Sequence, residues 1–189
     1  LGKVYSKKAY EIPEFGRNAK GLPIVNLLEL DKGEKIQAVI NVPEGADDNY
    51  LFFVTKMGTV KRTKVSEFQN IRRSGLIALT LRDGDELNNV LTTDGKQNIL
   101  IGTHLGYAVT FNEKDVRSMG RTAAGVRGIN LRDNDYVVGS DILEPDSEVL
   151  VISEKGYGKR TAASEYPVKG RGGKGIKTAN ITEKNGPLA

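Results

Sequence analysis

Residues 51–92 recur along this 189-residue chain, and a recurring unit of that size leaves few folds open. From Leu51, L-F-F-V-T-K-M-G-T-V-K-R-T-K-V reads as an apolar strand, a turn at Met57-Gly58 and a second strand studded with cations. A polar bend follows (Ser66 to Asn70), then Arg72 and Arg73 before Gly75, the alternating run L-I-A-L-T-L, a turn at Asp83-Gly84-Asp85 and a last strand E-L-N-N-V-L-T. Four strands in about forty residues is the size of one propeller blade.

The copies align by their glycines. Gly2, Gly58, Gly106 and Gly156 take the first turn, and Gly21, Gly75, Gly125 and Gly175 follow seventeen or nineteen residues later. Each of the second set precedes a strand-like run: L-P-I-V-N-L, L-I-A-L-T-L, V-R-G-I-N-L and I-K-T-A-N-I. A third landmark returns as Asp31-Lys32-Gly33-Glu34, Asp83-Gly84-Asp85, Asp133-Asn134-Asp135 and, loosely, Glu183-Lys184-Asn185-Gly186. Glycine turns pepper any all-β protein, but three aligned landmarks with a period near fifty are not expected from that alone. The expected fold is therefore all-β and propeller-like, an incomplete set of about four four-stranded blades. Its units fall at about 1–50, lacking the first strand, 51–98, 99–148, and 149–189, lacking the last. Helix is expected only as a turn or so at Val65–Asn70 and Asn112–Ser118, since no segment sustains a 3.6-residue period.

A net charge of +4 says little until its distribution is followed. The windows 1–30, 55–82, 103–132 and 155–177 hold 24 of the 28 Lys and Arg but only 7 of the 24 Asp and Glu. Stacked repeats put equivalent positions at equivalent places, so a bias repeated in sequence becomes a basic band in space. A solvated face of mixed charge is the bland alternative, and sorting of the two signs weakens it. No run of eighteen apolar residues offers a membrane span, so no membrane partner is expected. The absence of cysteine fits a reducing cytoplasm, the expected location.

Catalytic constellations fare poorly. The G-x-G-x-x-G within Lys169–Gly175 is followed by the strand-like I-K-T-A-N-I, so no helix N-terminus is available to a pyrophosphate, and no G-K-[ST] is present. His104, the only histidine, reads as an exposed turn residue. The aspartates at 83, 85, 133 and 135 read as hairpin chemistry in place of a metal site. What the glycine-and-cation segments can do is hold phosphate: backbone N–H groups approach an anion closely where Cβ is absent, and the long cations add charge-assisted bonds. The candidate DNA-binding residues are Lys7, Lys8, Arg17, Lys20, Lys61, Arg62, Lys64, Arg72, Arg73, Arg117, Arg121, Arg127, Lys159, Arg160, Lys169, Arg171, Lys174 and Lys177. With aromatics at only 6%, base stacking is disfavoured and a duplex backbone is the better ligand.

The blade pattern, the opening F-F-V-T-K-M-G-T-V-K-R-T and the loop R-G-G-K-G-I together resemble the C-terminal domain of the DNA gyrase A protein, of the bacterial type IIA topoisomerases. That resemblance, over essentially the whole chain, implies a β-pinwheel whose blades exchange strands and whose outer rim binds and bends DNA. It also implies partners: the rest of the gyrase A protein, and the gyrase B protein hydrolysing ATP, in an A2B2 complex that introduces negative supercoils. ATP and Mg2+ would be bound elsewhere, and the nucleophilic tyrosine belongs to an upstream domain, so no cofactor, metal or catalytic residue is expected here. The family box, of form Q-R-R-G-G-[KR]-G, belongs to the first blade. Here K-G-R-G-G-K-G stands in the fourth unit and is a box-like loop. The chain reads as an excised part of a larger array. The corresponding domain of the topoisomerase IV A protein is the nearest alternative, and a protein-binding propeller scaffold a more distant one.

Overall fold

The apolar run Leu51–Val54 is buried on both faces, and its period-two alternation assigns each face to a different neighbour. Leu51 and Phe53 pack with Val65, Phe68, Ala78 and Leu79, while Phe52 and Val54 pack with Ile99, Ile101, Phe111 and Ile129 of the following unit. A third cluster, Leu100, Ala108, Leu143, Ala163 and Tyr166, repeats the arrangement between the third and fourth units. Fully burying a side chain of this kind stabilises by about 1.5–3 kcal/mol, so the stacked units hold one another.

The structure, a computed structural model, describes residues 2–189. Its strands are β1 (Lys3–Val4), β2 (Tyr50–Thr55), β3 (Thr59–Lys64), β4 (Leu76–Ile77), β5 (Leu87–Thr93) and β6 (Asn98–Thr103). The second half adds β7 (Tyr107–Asn112), β8 (Val126–Arg127), β9 (Val137–Ile142), β10 (Glu148–Ile152), β11 (Gly158–Ala162) and β12 (Ile176–Lys177). Two sheets have four strands, ordered β5-β2-β3-β8 and β9-β6-β7-β12, and two have the pairs β1-β4 and β10-β11. Each full sheet thus takes its first, second and fourth strands from one unit and its outer strand from the next. The architecture is an all-β pinwheel with strand exchange. Val65–Phe68 and Glu113–Asp115 form the expected short helical turns, both of the 3-10 type.

Two features set inside and outside. The fourth strands β5 and β9 lie side by side, Asn88 and Asn89 donating from their side chains to the carbonyls of Val137 and Ser140. They border a cavity of about 370 Å3 that is also lined by Gln37, Lys56, Tyr136 and Glu154, residues of all four units. The fourth strands are therefore innermost, and β4, β8 and β12 are outermost.

The first turns superpose in conformation. Gly58, Gly106 and Gly156 have φ of 80°, 83° and 81°, and their N–H groups donate to Thr55, Thr103 and Ser153 at 3.0, 3.0 and 2.9 Å. Asp85 and Asp135 are turn caps: each Oδ1 accepts from the N–H of the following residue and from that of Met57 or Leu105.

The strand expected at L-P-I-V-N-L is instead a 3-10 turn over Ile24–Asn26. Pro23 has no N–H to donate, and third strands here pair with the second strand of the preceding unit, which the described residues do not supply for the first. Fourth strands pair with the first strand of their own unit, which the described residues do not supply for the first unit either, so 36–42 runs unpaired and Val39 is 88% exposed.

Candidate nucleic-acid interface

The second glycines decide where the loop cations go. Gly125 and Gly175 have φ of 97° and 77°, and a Cβ on them would lie 2.4 Å from the Val60 carbonyl oxygen and 2.5 Å from that of Ala108. Only glycine lets these loops press so closely onto the preceding unit. Further bonds stitch them down. Thr80 Oγ1 donates to the Thr122 carbonyl at 2.7 Å; the N–H of Gly172 donates to Gly128 at 2.7 Å and that of Asn130 to Gly173 at 2.8 Å. Each loop is thereby fixed beside the outermost strand of the unit before it. Arg72, Arg73, Arg127, Arg171, Lys174 and Lys177, on these loops and strands, are all exposed.

Within the box-like loop Arg171 is held in place: Nε donates to the Asp115 carbonyl at 2.9 Å and Nη1 to that of Arg127 at 3.0 Å. Its remaining N–H groups are available to an anion, and a guanidinium already fixed loses little entropy on binding one. Arg132 stacks 3.3 Å from the Tyr107 ring and donates to the Lys174 carbonyl at 2.5 Å. That supporting role was not legible in the sequence, because Tyr107 is twenty-five positions away.

Two candidates are corrected. Lys61 is fully buried, its ammonium donating to the carbonyls of Ala78 and Arg121, and burial, aided by the nearby charge of Arg121, lowers its pKa to about 8. Arg62 is buried too, 4.5 Å from the Tyr50 ring centroid and 3.5 Å from Glu113 Oε2. The cause is the third unit: the N–H of Met119 donates to the Arg62 carbonyl at 2.9 Å, laying the loop across β3. Buried in this way, neither cation serves as a rim contact for phosphate.

Glu113 organises this junction and was absent from the candidates. Its Oε1 accepts from the N–H groups of Gly95 and Gln97, both at 2.9 Å, and its Oε2 from the Thr93 hydroxyl at 2.7 Å. The signal available was a charge at a repeat position that is Ala9, Val65 and Ala163 elsewhere.

The other candidates lie at the surface. Lys7 pairs with Glu11 at 3.5 Å, and Lys8, Arg17 and Lys20 are exposed on the first unit. Lys64, Arg117 and Lys169 are exposed, Arg121 is half-buried, and Lys159 and Arg160 are exposed on β11. Lys177 donates to Asn180 Oδ1 at 3.1 Å. His104 is less exposed than expected, stacked on Tyr136 with centroids 4.4 Å apart and its Nδ1 3.0 Å from the Leu188 carbonyl oxygen.

A model of the DNA gyrase C-terminal domain, described as a beta-propeller, matches residues 1–43, 49–94, 97–144 and 147–186. The chain is 50% identical over 190 residues to the DNA gyrase A protein of Staphylococcus epidermidis, covering 99% of this chain and 21% of that protein. Against the gyrase A protein of Staphylococcus aureus it is 50% identical over 188 residues, 98% of this chain and again 21% of the relative. Among solved structures, a gyrase A C-terminal domain superposes with a TM-score of 0.83 at 29% identity, covering 99% of this chain and 60% of that one. The C-terminal domain of a DNA topoisomerase IV superposes with a TM-score of 0.88 at 28% identity, covering 99% and 58%. The chain spans about a fifth of the length of the curated relatives it matches. On the repeats, the exchanged strands and these matches, the chain belongs to the DNA gyrase C-terminal domain family.

Proposed function

We propose that this domain binds duplex DNA along its outer rim and bends or wraps it without reading sequence, supporting negative supercoiling by DNA gyrase. The observation that carries the reading is the stitched rim, where the loops of the third and fourth units, fixed beside the outer strands of the units before them, carry exposed cations. Each further blade the DNA reaches adds phosphate contacts only if the duplex curves, and those contacts offset a bending cost of about 1–6 kcal/mol for a moderate bend over a short site. In this reading the chain works with the rest of the gyrase A protein and with the gyrase B protein in an A2B2 complex in the bacterial cytoplasm. ATP and Mg2+ are handled by those other parts.

The test is duplex binding as a function of salt, with end-to-end energy transfer on a doubly labelled duplex. Neutralising about six to ten phosphates makes affinity fall roughly a thousandfold or more between low and moderate salt, and transfer efficiency rises on binding. Binding that is insensitive to salt, or a duplex that stays straight, would sink the proposal.

Similarity to the topoisomerase IV domain favours a second reading, in which the same rim serves decatenation. The 50% identity to gyrase A proteins over nearly the whole chain supports gyrase. Supercoiling against decatenation activity of the whole enzyme, with and without this domain, separates the two.

A further inference from the structure

The box-like loop arches over a hollow. One end is fixed where the Lys169 N–H donates to the Thr110 carbonyl at 2.8 Å, the other where Gly175 rests on Ala108 and Ile176 pairs with that residue. Between those points the loop is tied elsewhere, the Gly172 N–H to the Gly128 carbonyl and Arg171 to those of Asp115 and Arg127. Beneath it lies a cavity of about 220 Å3 between the third and fourth units, floored by the buried Ala108, Val109 and Thr110 of β7.

At the preceding junction a side chain runs through the equivalent place. Lys61 and Val109 each stand three residues after a first-turn glycine. Lys61 reaches from β3 to the third unit's loop, its ammonium donating to the carbonyl of Arg121, the counterpart of Arg171. Val109 is three atoms shorter. The loop above it is also pared down: Gly172 and Gly173 stand where the third unit has Thr122 and Ala123, so two Cβ atoms are missing. The lining then divides by chemistry. Ala108, Val109, Pro167 and Ile176 are apolar, whereas Lys169 and Lys174 are exposed at the mouth and have no carboxylate within reach among the described residues. Gly170, Gly173 and Lys174 line it too, and their N–H groups take no partner among the described residues. Glycine lets an anion approach such N–H groups closely. An apolar cavity of about 150 Å3 already holds a benzene ring, so this one has room for a single ring with a charged group at the mouth.

We propose that this cavity binds a small organic anion, a phosphate monoester or carboxylate carrying one compact apolar ring, and that its occupant competes with duplex DNA for the loop. The ring lies on Val109 and Ile176, and the anion sits among Lys169, Lys174 and the glycine N–H groups. Inorganic phosphate has no ring to bury, and a duplex could supply one only by unstacking a base. The competition rests on the DNA-binding reading, since it withdraws Lys169 and Lys174 from the rim; the site itself does not.

The site is tested by nuclear magnetic resonance titration of this chain with phenyl phosphate, set against inorganic phosphate and benzyl alcohol at equal ionic strength. Phenyl phosphate is expected to shift the amides of Gly173 and Lys174 together with the Val109 methyls, and to bind about tenfold or more tighter than either of the other probes. Val109→Met, which extends a side chain into the hollow, should bring phenyl phosphate down to the level of inorganic phosphate while duplex binding is kept. Equal binding of phenyl and inorganic phosphate by the wild-type chain, a comparison that needs no variant, overturns the site. An undiminished preference in a folded Val109→Met does the same. For the competition, saturating phenyl phosphate is expected to weaken duplex binding about threefold or more beyond inorganic phosphate at the same ionic strength. A filled cavity with duplex affinity unchanged overturns that half of the proposal. A chain that bound no duplex would sink the DNA-binding reading and the competition with it, with the titration still deciding the site.

Discussion

Glu113 of the third unit lies 3.5 Å from the guanidinium of Arg62 on the second, with both side chains buried. The carboxylate has three other donors, from Thr93, Gly95 and Gln97, which form the connector between the two units. One side chain therefore ties a connector, a strand and the next blade.

Removing it leaves a buried guanidinium without a counter-charge. Glu113→Ala is expected to lower stability by about 3–5 kcal/mol in urea denaturation, in line with breaking a buried pair from one side. Adding Arg62→Met should recover part of that loss, since an apolar side chain of similar length has no charge to leave unpaired. A double variant losing the sum of the single losses would mean the two side chains do not interact.

The glycines of the first turn separate local strain from docking. Gly106→Ala and Gly156→Ala both place a Cβ at positive φ, at a cost of roughly 1–2 kcal/mol. Only at Gly106 does that Cβ also press to 2.5 Å on a backbone oxygen, that of Ala179. Thermal melts of the chain should therefore show Gly106→Ala as the more destabilised variant, and equal melting temperatures would deny that the exchanged strand bears on this turn.

Lys61 gives the chain a measurable alkaline response. Its pKa, lowered by burial to about 8, lies below the 10.5 of an ordinary lysine, so between those values the unfolded chain binds more protons than the folded one. Stability should rise with pH in that window, by on the order of 2 kcal/mol from pH 8 to 10, because the folded state is relieved of a buried charge. The opposing contribution of Tyr5, whose pKa burial and Glu34 raise, begins only above its ordinary value of 10.0. Denaturation midpoints followed across this range should climb for the wild type and stay flat for Lys61→Met.

DNA binding should divide the cations by burial. Alanine at Arg72, Arg73 and Lys174 is expected to weaken duplex binding and to flatten the slope of log affinity against log salt by about 0.9 for each phosphate no longer engaged. Lys61→Met should leave that slope unchanged, even where it loosens the loop at Arg121. A lower slope for Lys61→Met would place its ammonium on the DNA.

How far the chain could be read without coordinates is clearest at its repeats. Gly58, Gly106 and Gly156 announce their turns because positive φ is a demand that glycine meets without steric cost, and the apolar run at Leu51 announces a strand covered on both faces. Such properties are local, so the fold class and the blade register follow from the order of residues alone. Lys-Arg-Thr at 61–63 and at 159–161 is the opposite case, the same three residues at the same repeat position, all sealed inside at one place and with the lysine and arginine facing solvent at the other. What separates them is whether the loop of a following unit lies across the strand, as the one carrying Arg121 does over Lys61, sixty positions on. Burial is decided by what packs against a residue, so strand exchange and the division of cations between rim and interior belong to the tertiary structure.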